Sequence, residues 1–222
     1  MFYNSYSLRA RILGELVVWT ASDLKSKNAR IAIFILVACI ALAFIWYLLK
    51  PGALFIESTF DKGAEDWMVV GDTQSALPSY SPDGGHPGGF IYATDRAAGG
   101  VWYWRAPKRF YGDRSSYYGQ HLSFELKQSS TDNQFDNNDI ILTGAEEELR
   151  FNTTDNPGLQ WTSYKVAFDQ SEVWINKRTG QRATKAEIYN VLAQLDGLHI
   201  RGEFIVGDDI GSLDNVRLGL HP

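Results

Sequence analysis

The sequence HLSFELKQ, residues His121–Gln128, alternates strictly between apolar and polar side chains. Successive side chains of an extended strand point to opposite faces, so the apolar residues share one face. They are Leu122, Phe124 and Leu126. The opposite face carries Ser123, Glu125 and Lys127. This pattern predicts an antiparallel strand that is buried on one face and exposed to solvent on the other.

Short runs rich in aromatic and β-branched residues recur on both sides of this strand, separated by Gly, Asp, Asn, Ser and Pro. Such runs are typical of strands joined by turns. They predict a mainly β protein whose ten or so strands form a sandwich. The ten segments are Leu54–Phe60, Trp67–Gly71, Gly89–Thr94, Val101–Ala106, His121–Gln128, Asp139–Thr143, Glu147–Phe151, Gln160–Phe168, Leu198–Val206 and Asn215–Leu220.

One segment has the period of a helix instead. Thr184 and Glu187 form a capping-box pattern, and four apolar residues follow at i, i+3, i+4 and i+7. These residues are Ile188, Val191, Leu192 and Leu195. Gly197 then stands where a C′ glycine is expected. The pattern predicts one short helix that plugs an end of the sandwich.

The run IAIFILVACIALAFIWYLL, residues 31–49, contains no charge and no proline. As a helix it would be roughly 28 Å long, close to the ~30 Å apolar thickness of a bilayer. It predicts a transmembrane helix between a tail, residues 1–30, and an outer domain, residues 53–222. Five basic residues precede the run and only Lys50 closely follows it, so the positive-inside rule predicts a cytoplasmic amino terminus.

Charge and cysteine content limit what the outer domain binds and how it is stabilised. The chain has 21 basic and 26 acidic residues; the first fifty hold 6 and 2, which leaves 15 against 24 outside. This acidic balance disfavours nucleic acid and anionic lipid as partners of the outer domain. Cys39, the only cysteine, lies within the apolar run, so the domain has no disulfide of its own.

Several sequence blocks carry a family resemblance. They begin at Phe60 and Asp61 and continue through DGGHPGGFIYATD, VWYWRAPKRFYGDRSSYYGQHLSFEL, DIILTG, LHIRGEF and the closing GSLDNV, in one unbroken order. This series resembles the laminin B domain, also called laminin domain IV. The resemblance implies a galactose-binding-like jelly-roll sandwich and a non-enzymatic extracellular module.

Catalytic patterns are absent from the sequence. It has no G-x-S-x-G, H-x-x-x-H or H-E-x-x-H motif, and its four histidines are scattered. Acidic residues are plentiful, but no pair is marked out as a glycosidase pair. We therefore predict that the chain is not an enzyme, with an anchored hydrolase as the disfavoured alternative.

Calcium fits the composition better than zinc, because the outer domain is rich in carboxylates and lacks soft ligands. In jelly-roll modules similar to the implied fold, a structural calcium ion often joins the first strand to the last. The residues predicted to bind such an ion are Glu57 or Asp61 with Asp214. Alternatively, Asp214 and Asn215 cap a turn through backbone N–H groups.

Aromatic residues are the candidates for ligand binding, since exposed rings stack on sugars and the fold suggests a glycan ligand. The candidates are Trp102, Tyr103, Tyr117, Tyr118 and Trp174. Trp174 is expected to be exposed because DQSEVWINKRTGQR resembles a loop. The alternative is that such large rings belong to the core.

Together these features predict a single-pass plasma (inner) membrane protein with an extracytoplasmic sandwich that binds a glycan or another surface polymer. Its membrane partner is the lipid bilayer, contacted through residues 31–49. The alternative function is a structural or adhesion module that docks on a protein of the membrane or envelope.

Overall fold

The computed structural model describes residue 31 and residues 35–40, 55–95 and 99–219. The chain divides into two compact units, residues 1–52 and 53–222. In the first unit, residues 31 and 35–40 are helical, while the predicted tail and most of the predicted span lie outside the described residues. No helix in the described part of the chain combines the length and apolar character needed to cross a bilayer.

The second unit is mainly β. Its strands are β1 (Phe55–Ser58), β2 (Met68–Gly71), β3 (Ser79–Ser81), β4 (Phe90–Asp95), β5 (Trp102–Arg105), β6 (His121–Gln128), β7 (Ile140–Gly144), β8 (Glu147–Phe151), β9 (Thr162–Ala167), β10 (Ile175–Asn176), β11 (Leu195–Arg201) and β12 (Asp209–Gly219). One α-helix, α1 (Lys185–Ala193), lies between β10 and β11, and two 3-10 turns, Lys108–Phe110 and Ser115–Tyr117, lie between β5 and β6.

The strands form two antiparallel sheets. Sheet A has the order β3-β4-β12-β6-β9, with β1 also paired to β12. Sheet B has the order β10-β8-β7-β11-β5-β2. The mainly β, two-sheet architecture predicted from the sequence is therefore confirmed.

Strand β12 holds sheet A together. On one side it pairs with β6, and on the other its first half pairs with β4 and its second half with β1. The register with β6 shifts between Asp214 and Arg217, where Asn215 has a φ of 49°. This bulge allows one long strand to serve three partners.

A single apolar core lies between the sheets. Sheet A contributes Leu122, Phe124, Leu126 and Leu213, all at most 1% exposed, as the alternation of β6 predicted. Sheet B contributes Trp104, Ile140, Leu142 and Leu198, which are fully buried. Ile188, Val191 and Leu192 of α1 join the same core, so the helix packs its apolar side inward.

Trp102 is packed against the backbone of two glycines. A Cβ atom added to Gly202 would lie 1.8 Å from the Trp102 ring, and one added to Gly211 would lie 2.9 Å from it. Such separations are far below van der Waals contact, so only glycine fits at Gly202. This contact ties β5 of sheet B to the end of β11 and to β12 of sheet A.

A buried ion pair lies where β7 begins and β11 ends. Arg201 and Asp139 are 0% and 1% exposed at their side chains, and Arg201 Nε lies 3.0 Å from Asp139 Oδ1. Arg201 also donates to Asn156 and lies over the Phe204 ring at 3.9 Å. Asp139 accepts from the Thr153 backbone N–H at 2.6 Å. A buried pair needs such additional partners to offset its desolvation.

The predicted start of the helix is confirmed and its predicted end is wrong. The Thr184 side chain accepts from the Glu187 N–H, and the Glu187 carboxylate accepts from the Thr184 N–H, which completes the capping box. The helix ends at Ala193, and Leu195 and Gly197 belong to β11. The register of β11 with β7 shifts between Leu195 and Gly197, and a Cβ added to Gly197 would lie 2.2 Å from the Thr143 hydroxyl oxygen.

Strand predictions were accurate where alternation was strict. Strands β6 and β8 have the predicted bounds, whereas β12 begins at Asp209 rather than Asn215 and β11 ends at Arg201 rather than Val206. Two short strands, β3 and β10, were not predicted. With three and two residues they are too short to show a period.

The Trp102 packing predicts a large effect of Gly202→Ala. We expect the substitution to lower the free energy of unfolding by about 1–3 kcal/mol or more, because the added methyl overlaps the indole ring. Urea unfolding of the full chain in a mild detergent, followed by near-UV circular dichroism, measures this change. Gly158→Ala is the matched control, since its added Cβ would meet nothing closer than 3.8 Å. Equal stability of the two variants would contradict the proposed packing.

Candidate functional site

Three side chains form a row across the outer face of sheet A. Tyr92 of β4 pairs with Ser212 of β12, and Ser212 pairs in turn with Lys127 of β6. Neighbouring strands are about 4.8 Å apart, so the row places the three side chains next to one another. Each of the three alternates with core residues along its own strand. In β4, for example, Tyr92 follows the buried Ile91.

Two more rings extend this row into an aromatic cluster. Phe90 lies two residues before Tyr92, with ring centroids 5.9 Å apart, and Trp161 packs edge-on against Phe90 at 5.4 Å. Lys127 Nζ lies 4.7 Å from the Phe90 centroid and 4.5 Å from the Trp161 centroid. Phe90, Tyr92, Trp161 and Lys127 are called the ring cluster below.

A surface pocket of about 710 Å³ opens beside the ring cluster. Its walls include Tyr80, Ser129, Leu159 and Ile210 together with three members of the cluster. Ligand pockets usually have volumes of about 300–1,000 Å³ and combine apolar walls with a few polar groups. This pocket has both properties.

A polar row lies beside the ring cluster on the same face. Asp214 of β12 pairs with Glu125 of β6, which pairs with Ser163 of β9. Ser163 donates to Glu125 at 3.0 Å, and the His86 Nδ1 lies 2.9 Å from the same carboxylate oxygen. Asn215 donates to Glu125 at 3.2 Å. Hydrogen bonds therefore orient the Glu125 carboxylate.

The loop before β4, residues 83–89, is tied to both groups. The Asp214 carboxylate accepts from the His86 backbone N–H at 2.6 Å, and Trp161 Nε1 donates to the Gly84 carbonyl at 3.0 Å. Gly85 must be glycine because a Cβ there would lie 2.7 Å from Asp214 Oδ2. The loop thus links the aromatic and the polar parts of the face.

Burial is the main cause of an unusual pKa at Asp214. The side chain is fully buried, and this burial, together with the nearby charges of Glu125 and Asp61, raises the pKa of Asp214 to about 6 against two backbone hydrogen bonds that lower it. The pKa of His86 is also raised, by its hydrogen bond to Glu125. This end of the face is therefore electrostatically negative.

Of the three residues predicted to bind calcium, two lie near each other and the third does not join them. Asp61 is close enough to Asp214 for its charge to raise the pKa of Asp214, but Glu57 pairs instead with Arg217, at 2.9 Å. Within the described residues, no group of three or more His, Cys, Asp or Glu side chains is arranged to hold a metal ion. Asp214 also caps Asn215, as the turn alternative predicted.

Trp174 is buried, so its predicted exposure is wrong. Its side chain is 0% exposed, stacks on Phe168 and donates from Nε1 to the Ala167 carbonyl at 2.9 Å. The segment reads as a loop in sequence, but Ile175 and Asn176 pair with β8 and draw the indole into the core. A buried ring offers no surface to a ligand.

The other predicted rings do not form one site. Trp102 and Tyr117 are buried in the core, at 1% and 8% exposure. Tyr103 is half-buried in sheet B against His199, and Tyr118 lies near α1, with Lys185 Nζ 5.3 Å from its ring. For Trp102 and Tyr117 the core alternative is therefore correct.

The ring cluster was missed as a unit, although part of its signal was present. The strict alternation of β6 predicted that Lys127 and Glu125 lie on the solvent-exposed face of the sheet. In the strand predicted from Gly89 to Thr94, Phe90 and Tyr92 share a face, but the sequence alone does not tell which face is the core. Trp161 lay within the predicted strand Gln160–Phe168, but β9 begins only at Thr162, so the ring precedes the strand.

Comparison with known proteins identifies relatives of this domain. The family model for Laminin B (Domain IV) matches residues 103–220. The Laminin-like protein lam-2 of Caenorhabditis elegans is 33% identical over 179 residues, which cover 75% of this chain and 10% of that protein. The Basement membrane proteoglycan of the same organism is 30% identical over 110 residues, covering 50% and 3%.

A solved structure shows the same fold. The L4b domain of human laminin alpha-2 superposes with a TM-score of 0.56 at 14% sequence identity, covering 77% of this chain and 100% of that one. The chain spans a tenth or less of the length of the two curated relatives. The similarity therefore concerns the domain and not the whole of those proteins.

The burial of Trp174 predicts a structural phenotype for Trp174→Ala. We expect a loss of about 3–5 kcal/mol in the free energy of unfolding, because a large cavity replaces the ring. Urea unfolding of the full chain measures it. The control is Tyr189→Ala, which removes a 45% exposed ring from α1 and should change stability by less than about 1 kcal/mol. An unaffected Trp174→Ala protein would show that the ring is not a core residue.

Proposed function

Because this chain belongs to the Laminin B (Domain IV) family, we propose that it is an extracytoplasmic binding module which recognises a saccharide at the outer face of sheet A. The observation that carries the proposal is the ring cluster beside the pocket. Sugar rings present apolar C–H faces that stack on aromatic side chains, and Phe90, Tyr92 and Trp161 supply such surfaces together.

The polar groups of the same face suit the hydroxyl groups of a saccharide. Lys127 lies within the row, while Glu125 and Asn215 lie beside it with their side chains already oriented by hydrogen bonds. Groups that are held in place before binding lose less entropy when they contact a ligand. The face therefore combines stacking surfaces with pre-positioned polar groups.

The proposed location is extracytoplasmic, at the plasma (inner) membrane. Two curated relatives are named as a laminin-like protein and a basement membrane proteoglycan, which supports an extracellular domain. The apolar run of residues 31–49 supports a single membrane anchor with a cytoplasmic amino terminus. That the chain is not an enzyme stays a prediction.

Trp161→Ala tests the proposed function. Removing this ring of the cluster should weaken saccharide binding about tenfold, which corresponds to a loss of about 1.4 kcal/mol, because the sugar loses a stacking surface. Binding of the full chain in detergent to an array of neutral and acidic oligosaccharides identifies ligands, and titration calorimetry measures their affinity.

Tyr189→Ala is the matched control, because it removes an exposed ring far along the sequence, on α1. It should leave the affinity unchanged. If no oligosaccharide binds, or if both variants bind as well as the parent chain, the proposal is wrong. The alternative of docking on a membrane or envelope protein would then be preferred.

We further propose a structural calcium ion held by Asp61 and Asp214, with the remaining ligands supplied by oxygen atoms other than carboxylates. Calcium binds six to eight oxygen ligands, and the charge of Asp61 raises the pKa of Asp214, so a cation here would relieve repulsion. Glu57 is not part of this site because it pairs with Arg217.

Calcium addition tests this site. We expect millimolar calcium to raise the unfolding temperature of the full chain relative to EDTA, because binding to the folded state at a hundredfold excess over Kd adds about 2.7 kcal/mol of stability. Asp61→Asn should abolish the shift, and Glu57→Gln should preserve it. Identical unfolding temperatures in calcium and EDTA would rule the site out.

A further inference from the structure

Lys127 has an unusual position on the face described above. Its ammonium group lies over both the Phe90 and Trp161 rings, 4.7 and 4.5 Å from their centroids, at the wall of the pocket. Aromatic faces attract a cation without neutralising its charge. The rings therefore fix a full positive charge beside the pocket.

The carboxylates of the same face are engaged elsewhere. Glu125 is bonded to His86, Ser163 and Asn215, and Asp214 accepts from two backbone N–H groups. The ion pairs formed by the described side chains do not include Lys127. Among the side chains that the structure describes, the ammonium group therefore has no anionic partner, while its own position is restrained by the two rings.

We propose that Lys127 is the specificity-determining residue of the saccharide site and that it selects a sugar carrying an anionic group, a carboxylate or a sulfate. This inference rests on the proposed saccharide binding. The rings of Phe90 and Trp161 take the apolar face of the sugar, and Lys127 donates a charge-assisted hydrogen bond to its anionic group. Such bonds are roughly twice as strong as those between neutral groups.

The excess of acidic over basic residues in the domain favours recognition of a single acidic sugar unit. Residues 51–222 hold 15 basic and 24 acidic residues, so the domain as a whole repels an extended polyanion. A fixed ammonium group therefore recognises one acidic sugar unit at the pocket and does not act as part of a basic surface. Lys165 lies on the same face, in β9, but is exposed and outside the pocket.

The experiment compares three hexasaccharide probes with the full chain in detergent by titration calorimetry. The first contains glucuronate, the second is the same compound with its carboxylates reduced to alcohols, and the third is neutral except for sulfate esters. We expect the glucuronate probe to bind about tenfold more tightly than its reduced form. Raising the salt from 50 to 500 mM should weaken binding of the charged probes only.

Substitutions assign the effect to one residue. Lys127→Gln should remove the preference for the glucuronate probe, Lys127→Arg should retain most of it, and Lys165→Gln should leave it unchanged. Thermal unfolding of each variant verifies that the fold is intact. A sulfate probe that binds as tightly as the glucuronate probe, and only with Lys127 present, supports the shared chemistry of an anionic group.

Two outcomes would overturn the inference. The first is equal affinity for the glucuronate and reduced probes, with no effect of Lys127→Gln. If Trp161→Ala still abolishes binding in that case, saccharide binding is supported and the preference for an anionic sugar is wrong. The other is Lys127-dependent binding of an oligoglutamate peptide as tight as that of the glucuronate probe, which would show a general charge site. If none of the three probes binds, and no neutral oligosaccharide of the array binds either, the proposed saccharide-binding function is itself wrong.

Discussion

Sheet A depends on the backbone hydrogen bonds of one strand, β12. It pairs with β6 along one side and with β4 and β1 in succession along the other. An unpaired backbone N–H or C=O group that is buried costs free energy comparable to a lost hydrogen bond. Without β12, three strands would each lose a partner, and the outer face that carries the candidate site would not exist. The bulge near Asn215 is what lets one strand bridge β4 and β1.

The two-residue period of the strands builds the core and the site at the same time. In β6, Leu126 faces the core while Lys127 faces the pocket, and in β12 Leu213 and Ser212 divide in the same way. Because the period is two, a one-residue slip in register would exchange these faces. The tight packing of Trp102 between the two sheets opposes such a slip. Ligand recognition on the outer face is therefore positioned by the packing inside.

Much of the fold was predictable because its signals are local. Strict alternation in β6 and the reciprocal hydrogen bonds of the Thr184 and Glu187 capping box need only neighbouring residues. Long-range contacts were harder to foresee. The burial of Trp174 depends on pairing between β10 and β8, and the ion pair between Arg201 and Asp139 joins residues distant in sequence. The candidate site was found only in part, since Phe90 and Tyr92 required knowledge of which face is the core.

The pairing of β1 with β12 has a consequence for biosynthesis. The first strand of the sandwich hydrogen-bonds to the last, with Phe55 opposite Gly219. A ribosome therefore has to synthesise nearly the whole domain before the first strand acquires its partner. Folds dominated by such distant pairings form slowly, because loop-closure entropy is lost before the contacts compensate for it. A chaperone or an export channel that keeps the nascent chain extended until β12 emerges would prevent its exposed strand edges from aggregating.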